Sequence, residues 1–451
     1  MQYGLRMTGH PTHSSALLTD KYELTMLQAA LAAGTAHRRC VFEVFTRRLP
    51  AGRRYGVVAG TGRFLEALER FRFGTAEIEW LLADGVVDEP TAQYLADFRF
   101  SGTIRGYAEG EIYFPGSPLM VVDATFAEGV VLETLALSIL NHDSAVAAAA
   151  SRMTAAAGDR PCLEMGARRT HEEAAVGAAR AAVVAGFVGT SHLEAARRYG
   201  LAAIGTAAHA FTLLHDDEEQ AFAAQVASLG TSTTLLVDTY DVTQGVERAI
   251  KVAGTGLGAV RLDSGDLGAQ AVEVRQQLDT LGATGTRITV TSDLDEHAIA
   301  ALASAPVDSY GVGTQLVTGS GHPTCSMVYK VVARENAAGR LERVAKASAS
   351  KASVGGAKNA ARTLDGRGRA TGEIVAVGTP EAVAAWTPTG RTRPLHVDLV
   401  VDGEINTALT GAPGVRRAAE HHARVRAELP PDALRLSVGD PALSAKVVDL
   451  G

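Results

Sequence analysis

The feature that most constrains the fold is a rhythm between about residues 160 and 315, where short apolar or β-branched runs alternate with helical stretches of about 10–16 residues. The runs at 183–190, 201–209, 233–239, 258–263, 286–293 and 308–314 read as strands. Alternation of this kind predicts βα units and a parallel sheet. Six units exceed what a small nucleotide-binding half needs, so an irregular (β/α) barrel is the better fit. Helix starts fall between the runs: Thr170 with Glu173 and Ser191 with Glu194 have capping-box spacing, and Gly200 ends the second helix.

Polar residues recur at one end of each run. Thr190-Ser191, Thr206 to His209, Asp238, Asp263-Ser264-Gly265-Asp266, Asp293 and Gly311 to Thr314 all stand where a strand finishes. In barrel enzymes those ends converge on one mouth, so residues in this phase would ring a single site. Each Asp taken alone is more readily a helix N-cap, and it is the recurrence in register that favours a functional site.

Outside this region the pattern changes. Residues 16–34 read as an amphipathic helix starting after Thr19 or Asp20, and 40–49 as a strand leading to a basic turn. Short Gly- and Pro-bounded strands follow at 101–133, and an Ala-rich helix at 134–158. After residue 320 come a strand at 326–332, a Ser/Gly-rich basic stretch at 344–362, a hairpin at 395–405 and a polar helical tail at 415–450. The basic stretch, with Lys346, Lys351, Lys358 and Arg362, reads either as a solvated loop or as an anion cradle. The expectation is an α/β chain in three parts. Residues 1–133 form an α+β domain, 134–325 the irregular barrel, and 326–451 a phosphate loop with a C-terminal return to the first domain.

At 451 residues the chain can bury a large core. A net charge of -7 and 5% aromatic residues argue against nucleic acid as the main partner. No stretch reaches the length of a membrane span, residues 1–15 hold no apolar leader core, and the 3 cysteines lie far apart, so a cytoplasmic location with reduced thiols is expected. The 47 glycines suggest many tight loops where backbone can approach a ligand.

Nine segments, taken in order, resemble nicotinate phosphoribosyltransferases of the bacterial type: LLTDKYELTM (17–26), FEVFTRRLP (42–50), EMGARR (164–169), GFVGTS (186–191), GTAAHAF (205–211), VRLDSGDL (260–267), YGVGT (310–314), MVYKVV (327–332) and the KxSxxKxS run (346–353). The resemblance implies that nicotinate and phosphoribosyl pyrophosphate are joined to give nicotinate mononucleotide and pyrophosphate, in NAD biosynthesis. It further implies ATP as a co-substrate, Mg2+ as a cofactor and a homodimer with shared active sites.

For single residues it implies that Tyr22 stacks on the pyridine across the dimer interface and that Arg168 contacts ring and phosphate. Ser191, with Thr190, would occupy a selectivity position where nicotinamide-using relatives carry a carboxylate. Asp263 and Asp266 would stabilise oxocarbenium-like charge and hold ribose hydroxyls, with magnesium on Asp263 and Arg261 beside them. Asp293 becomes a second ribose or metal contact, while Gly311, Gly313 and Thr314 receive the 5'-phosphate. His209 matches the family's phosphorylated histidine, and imidazole suits a labile phosphoryl intermediate. Arg47, Lys346, Lys351 and Lys358 correspond to pyrophosphate or ATP contacts, partly from the neighbouring subunit. Glu164-Met165 stands where Asp-Phe is more frequent, His192 where Asn is common, and Val354-Gly355-Gly356 in place of a Pro-Gly turn.

The alternatives are a nicotinamide or quinolinate phosphoribosyltransferase, a non-catalytic nucleotide-sensing homologue, and an aldolase-like barrel. The last lacks a lysine at any predicted strand end between 183 and 314.

Overall fold

Strand Arg39–Thr46 is buried at every residue but its first, as a strand must be when both faces of its sheet are covered. It lies inside a seven-stranded sheet in a computed structural model that describes residues 13–346 and 354–451. The sheet runs Leu341–Arg343, Met327–Glu335, Arg39–Thr46, Met120–Thr125, Thr103–Tyr107, His396–Val401, Glu404–Ile405. Its pairings are antiparallel. It therefore draws strands from both ends of the chain, and the late hairpin returns to the first region as its sequence suggests. Helix Lys21–Ala32 packs on this layer after Asp20 and stops before Gly34, whose φ of 66° suits glycine. Close approach is forced at Gly129, where a Cβ would stand 2.1 Å from the Phe42 ring.

A second sheet is parallel, in the order Cys162–Glu164, Ser309–Val312, Arg287–Ser292, Ala259–Leu262, Thr234–Leu236. Isolated parallel bridges extend it from Glu164 to Thr190 and from Thr190 to Ala203. Helix Glu133–Ala157 lies between the two layers and packs against helix Glu172–Val184; its run of buried alanines lets the backbones come close. The helical segment Phe126–Ala157 is long and apolar enough to cross a bilayer, but most of its apolar window is buried in protein. A small third sheet joins Thr392–Pro394, Ala357–Leu364, Ala370–Gly378 and Ala445–Asp449. The chain is thus a mixed α/β structure with one parallel sheet.

Four local readings are corrected. Residues 183–190 are not a strand: helix Glu172–Val184 takes the first two, and only Thr190 bridges the sheet. The Ala-Val run continues the buried face of the helix, which an apolar run alone cannot distinguish from a buried strand. The 201–209 run is likewise reduced to one bridge at Ala203, and a helix begins at His209. The two caps fall one residue later than the capping boxes suggest, because the ring nitrogens of His171 and His192 accept from Glu173 N and Ala195 N. The tail is a helix, Gly411–Ala427, that gives way to strand Ala445–Asp449 rather than continuing.

Candidate active site

The carboxyl ends of the parallel strands and their following loops enclose a cavity of about 390 Å³. Strand Ala259–Leu262 places Leu262 in the core and turns Arg261 to the cavity side. The Arg261 guanidinium ties three loops together. Nε donates to Thr291 Oγ1 at 2.8 Å, one terminal nitrogen to Thr206 Oγ1 at 3.0 Å and Ala207 O at 3.3 Å, and the other to Asp263 Oδ1 at 2.7 Å. Thr291 also donates to Asp263 Oδ1. Burial alone would raise the Asp263 carboxyl, but the bonds from Thr291 and Arg261 hold it below its ordinary value.

His209 opens helix His209–Leu214 and lines the same cavity. Its Nε2 is 3.2 Å from Asp238 Oδ1, with the imidazole 40% exposed and the carboxylate 3% exposed. Asp238 Oδ2 accepts from Asp263 N at 2.9 Å and Ser264 Oγ at 3.1 Å, so one buried carboxylate joins the histidine to the loop of Asp263. Asp293, Gly311, Gly313, Thr314, Arg168 and Ser191 complete the wall, with Met165 among them. A Cβ on Gly311 would stand 2.4 Å from Thr291 Cγ2 and 2.7 Å from Met165 Sδ, so only glycine lets these two side chains pack against the strand here.

The other sequence-derived residues are not on this wall. Thr190 is fully buried and donates to Glu164 behind it. Asp266 caps helix Leu267–Thr280 by accepting from Ala269 N at 3.1 Å. Tyr22 stands 45% exposed on helix Lys21–Ala32, where burial of its ring and the nearby Glu133 and Glu23 push the hydroxyl up to about 12. Arg47 lies 5.3 Å over the Phe45 ring, and Lys346 is exposed past strand Leu341–Arg343. Lys351 falls outside the described residues. Lys358 is corrected: it is buried within strand Ala357–Leu364 and paired with Glu43, because the strand turns its ammonium into the neighbouring sheet.

Thr291 was not singled out in the sequence, and Asp238 and Thr206 entered only as members of the strand-end series. Asp238 carried a signal, the shared strand-end phase, but nothing in sequence pairs it with His209. Among the described residues no three His, Cys, Asp or Glu side chains form a metal-binding group. Both bonds on Asp263 fall on Oδ1, which leaves its second oxygen and Asp293 as at most two ligands, a number that suits magnesium carried on phosphates.

A carboxylate, a guanidinium and a half-exposed imidazole gathered at the ends of parallel strands define an α/β enzyme. Residues 17–141 match the nicotinate phosphoribosyltransferase N-terminal domain, and residues 161–371 match the nicotinate phosphoribosyltransferase family. The chain is 54% identical to nicotinate phosphoribosyltransferase pncB1 of Mycobacterium tuberculosis, over 98% of both chains. It is 36% identical to nicotinate phosphoribosyltransferase of Bacillus subtilis, over 72% of this chain and 68% of that one. In fold it resembles human nicotinic acid phosphoribosyltransferase, with a TM-score of 0.78 at 24% identity over 96% of this chain and 97% of that one. The chain belongs to the nicotinate phosphoribosyltransferase family.

Proposed function

We propose that this enzyme joins nicotinate to phosphoribosyl pyrophosphate, releasing pyrophosphate and forming nicotinate mononucleotide for NAD salvage. The observation that carries the reading is the convergence of Asp263, Arg261, His209 and Asp293 on one cavity in a chain of this family. The parallel strands, with the bridges at Thr190 and Ala203 and the link from Arg261 to Thr206, support an irregular barrel around that cavity. Parts bounded at 1–133, 134–325 and 326–451, and a cytoplasmic location, belong to the same reading.

As pyrophosphate leaves C1 of the ribose, positive charge builds on the ring. Asp263, kept ionised by Arg261 and Thr291, faces that charge and can also accept from ribose hydroxyls. Asp293 supplies a second carboxylate on the same wall, and Gly311 and Gly313 put backbone on the cavity lining where phosphate can approach it. The pyridine nitrogen is itself the nucleophile, so no general base is needed. Arg168 and Ser191 meet the carboxylate end of the substrate, the guanidinium as a planar fork. Bound magnesium, held by Asp263 and Asp293, would neutralise charge on the departing pyrophosphate.

ATP would phosphorylate His209, with Asp238 fixing the ring. A dimer would bring Tyr22 of a second copy to the pyridine, consistent with its exposure and its distance from this chain's own cavity wall.

The test is to supply phosphoribosyl pyrophosphate and magnesium with nicotinate, nicotinamide or quinolinate, with and without ATP, and measure mononucleotide. Product from nicotinate, increased by ATP, is expected. Product from nicotinamide alone, or from none, would overturn the reading.

A further inference from the structure

Glu164 is a buried carboxyl that the chemistry above does not use, 1% exposed and next in sequence to Met165 on the cavity wall. Two donors from two loops converge on it: the backbone N–H of Gly166 on Oε1 and the Thr190 hydroxyl on Oε2. Thr190 Oγ1 in turn accepts from His192 N at 2.9 Å. The backbone repeats the link, with Ser191 N donating to Glu164 O at 2.9 Å and Glu164 N to Gly189 O at 3.0 Å. Beyond Glu164 the first loop carries Met165 and Arg168 to the cavity wall, and beyond Thr190 the second carries Ser191. The first loop packs closely on its neighbours, since a Cβ on Gly166 would stand 2.3 Å from Val317 Cγ1 and 3.1 Å from Gly313 O.

We propose that Glu164 is a positioning residue: its carboxyl sets the spacing between Arg168 and Ser191, and so the fit of a pyridine bearing a carboxylate. The inference rests on the nicotinate reading above. Both converging groups are donors, so the site calls for an acceptor at each oxygen, which Glu supplies and Gln does not. In Glu164→Gln one oxygen becomes an amide donor, so either the Thr190 hydroxyl or the Gly166 N–H loses its acceptor in a buried site. The second loop is then free to shift without any change at Asp263 or His209.

The experiment uses the full chain and steady-state kinetics with nicotinate and phosphoribosyl pyrophosphate varied separately, alongside thermal unfolding. Wild-type chain that makes no nicotinate mononucleotide would refute the functional reading itself, independently of any variant. With active wild type, E164Q is expected to raise the KM for nicotinate about tenfold and leave that for phosphoribosyl pyrophosphate within about twofold. T190V should do the same, T190S should restore the wild-type KM, and E164Q combined with T190V should be no worse than either alone. T190V keeps the side-chain volume, so it carries the test if E164Q does not fold. A nicotinate KM unchanged in T190V, or both KM values rising together with a lowered Tm, would overturn the proposal.

Discussion

His209 and Asp238 form a dyad of unequal exposure: the imidazole Nε2 lies 3.2 Å from a carboxylate that is 3% exposed, while the ring itself reaches the cavity. The carboxylate cannot rotate freely, because its other oxygen holds Asp263 N and Ser264 Oγ. With Nε2 donating to Asp238, the other ring nitrogen would be the nucleophile in the proposed phosphoryl transfer.

His209→Asn should abolish ATP stimulation of mononucleotide formation while leaving the reaction without ATP. Asp238→Asn places an amide against Nε2 and favours the wrong tautomer. It should cut ATP stimulation at least about tenfold, equivalent to about 1.4 kcal/mol on the phosphoryl step. Acid-labile labelling from ATP measures both. Full labelling in H209N would remove the histidine from the scheme.

Asp263 gives a prediction in pH. Burial pushes its carboxyl up, but Thr291 and Arg261 more than offset that, so it stays ionised below the range in which ordinary aspartates take a proton. Replacing Arg261 by Gln removes the positive charge and lets the carboxyl rise. The acid limb of kcat should therefore move to higher pH in R261Q, since the ionised form is lost sooner on acidification. Asp263→Asn should lower kcat by about 10²–10³-fold at neutral pH. An unmoved acid limb in an R261Q enzyme that still turns over would break the link between the two residues.

The parallel strands at Thr234–Leu236, Ala259–Leu262, Arg287–Ser292 and Ser309–Val312 were legible because each couples a β-branched run to a polar end. The same logic failed at 183–190, where alanines and valines serve a helix face as well as a strand and the sheet takes only Thr190. Strand Cys162–Glu164 was invisible because three residues carry no period. At the site, phase gathered His209, Asp263 and Asp293, and the family resemblance added Arg261. It could not separate Asp263 from Asp266, which differ only in that the second faces out as a helix cap. Nor could it distinguish a basic loop from a strand that buries its lysine, because Glu43 lies more than 300 residues away in sequence, at a separation of 315.

That lysine makes its own prediction. Lys358 Nζ is buried against Glu43 and also donates to Val354 O at 2.8 Å. Lys358→Met strands a buried carboxylate, and should cost about 3–5 kcal/mol in urea unfolding. Glu43→Leu combined with K358M should recover much of that loss, since an apolar pair of similar volume tolerates burial. Folded K358M should keep the wild-type KM for phosphoribosyl pyrophosphate. A raised KM without loss of stability would return Lys358 to the phosphate site.

His422 predicts where acid unfolding begins. It is 1% exposed, with Nδ1 donating to Gly110 O at 2.9 Å and Nε2 accepting from Ser151 Oγ at 3.0 Å. Ser151 Oγ also bonds Tyr55 Oη at 2.9 Å, so the neutral ring completes a buried chain between helix Gly411–Ala427 and helix Glu133–Ala157. Burial lowers its pKa from 6.5 to about 4, against the pull of the Gly110 carbonyl. The unfolded chain therefore takes a proton near the ordinary value, while the folded chain resists until much lower pH. The contribution is intact above about 6.5 and disappears as pH falls toward 4, a change of about 3 kcal/mol in free energy of unfolding. His422→Gln cannot titrate, so it should be less stable at neutral pH yet show a flatter stability profile across that window. Chemical unfolding of both proteins between these pH values measures the difference, and parallel profiles would mean that the ring is already charged in the fold.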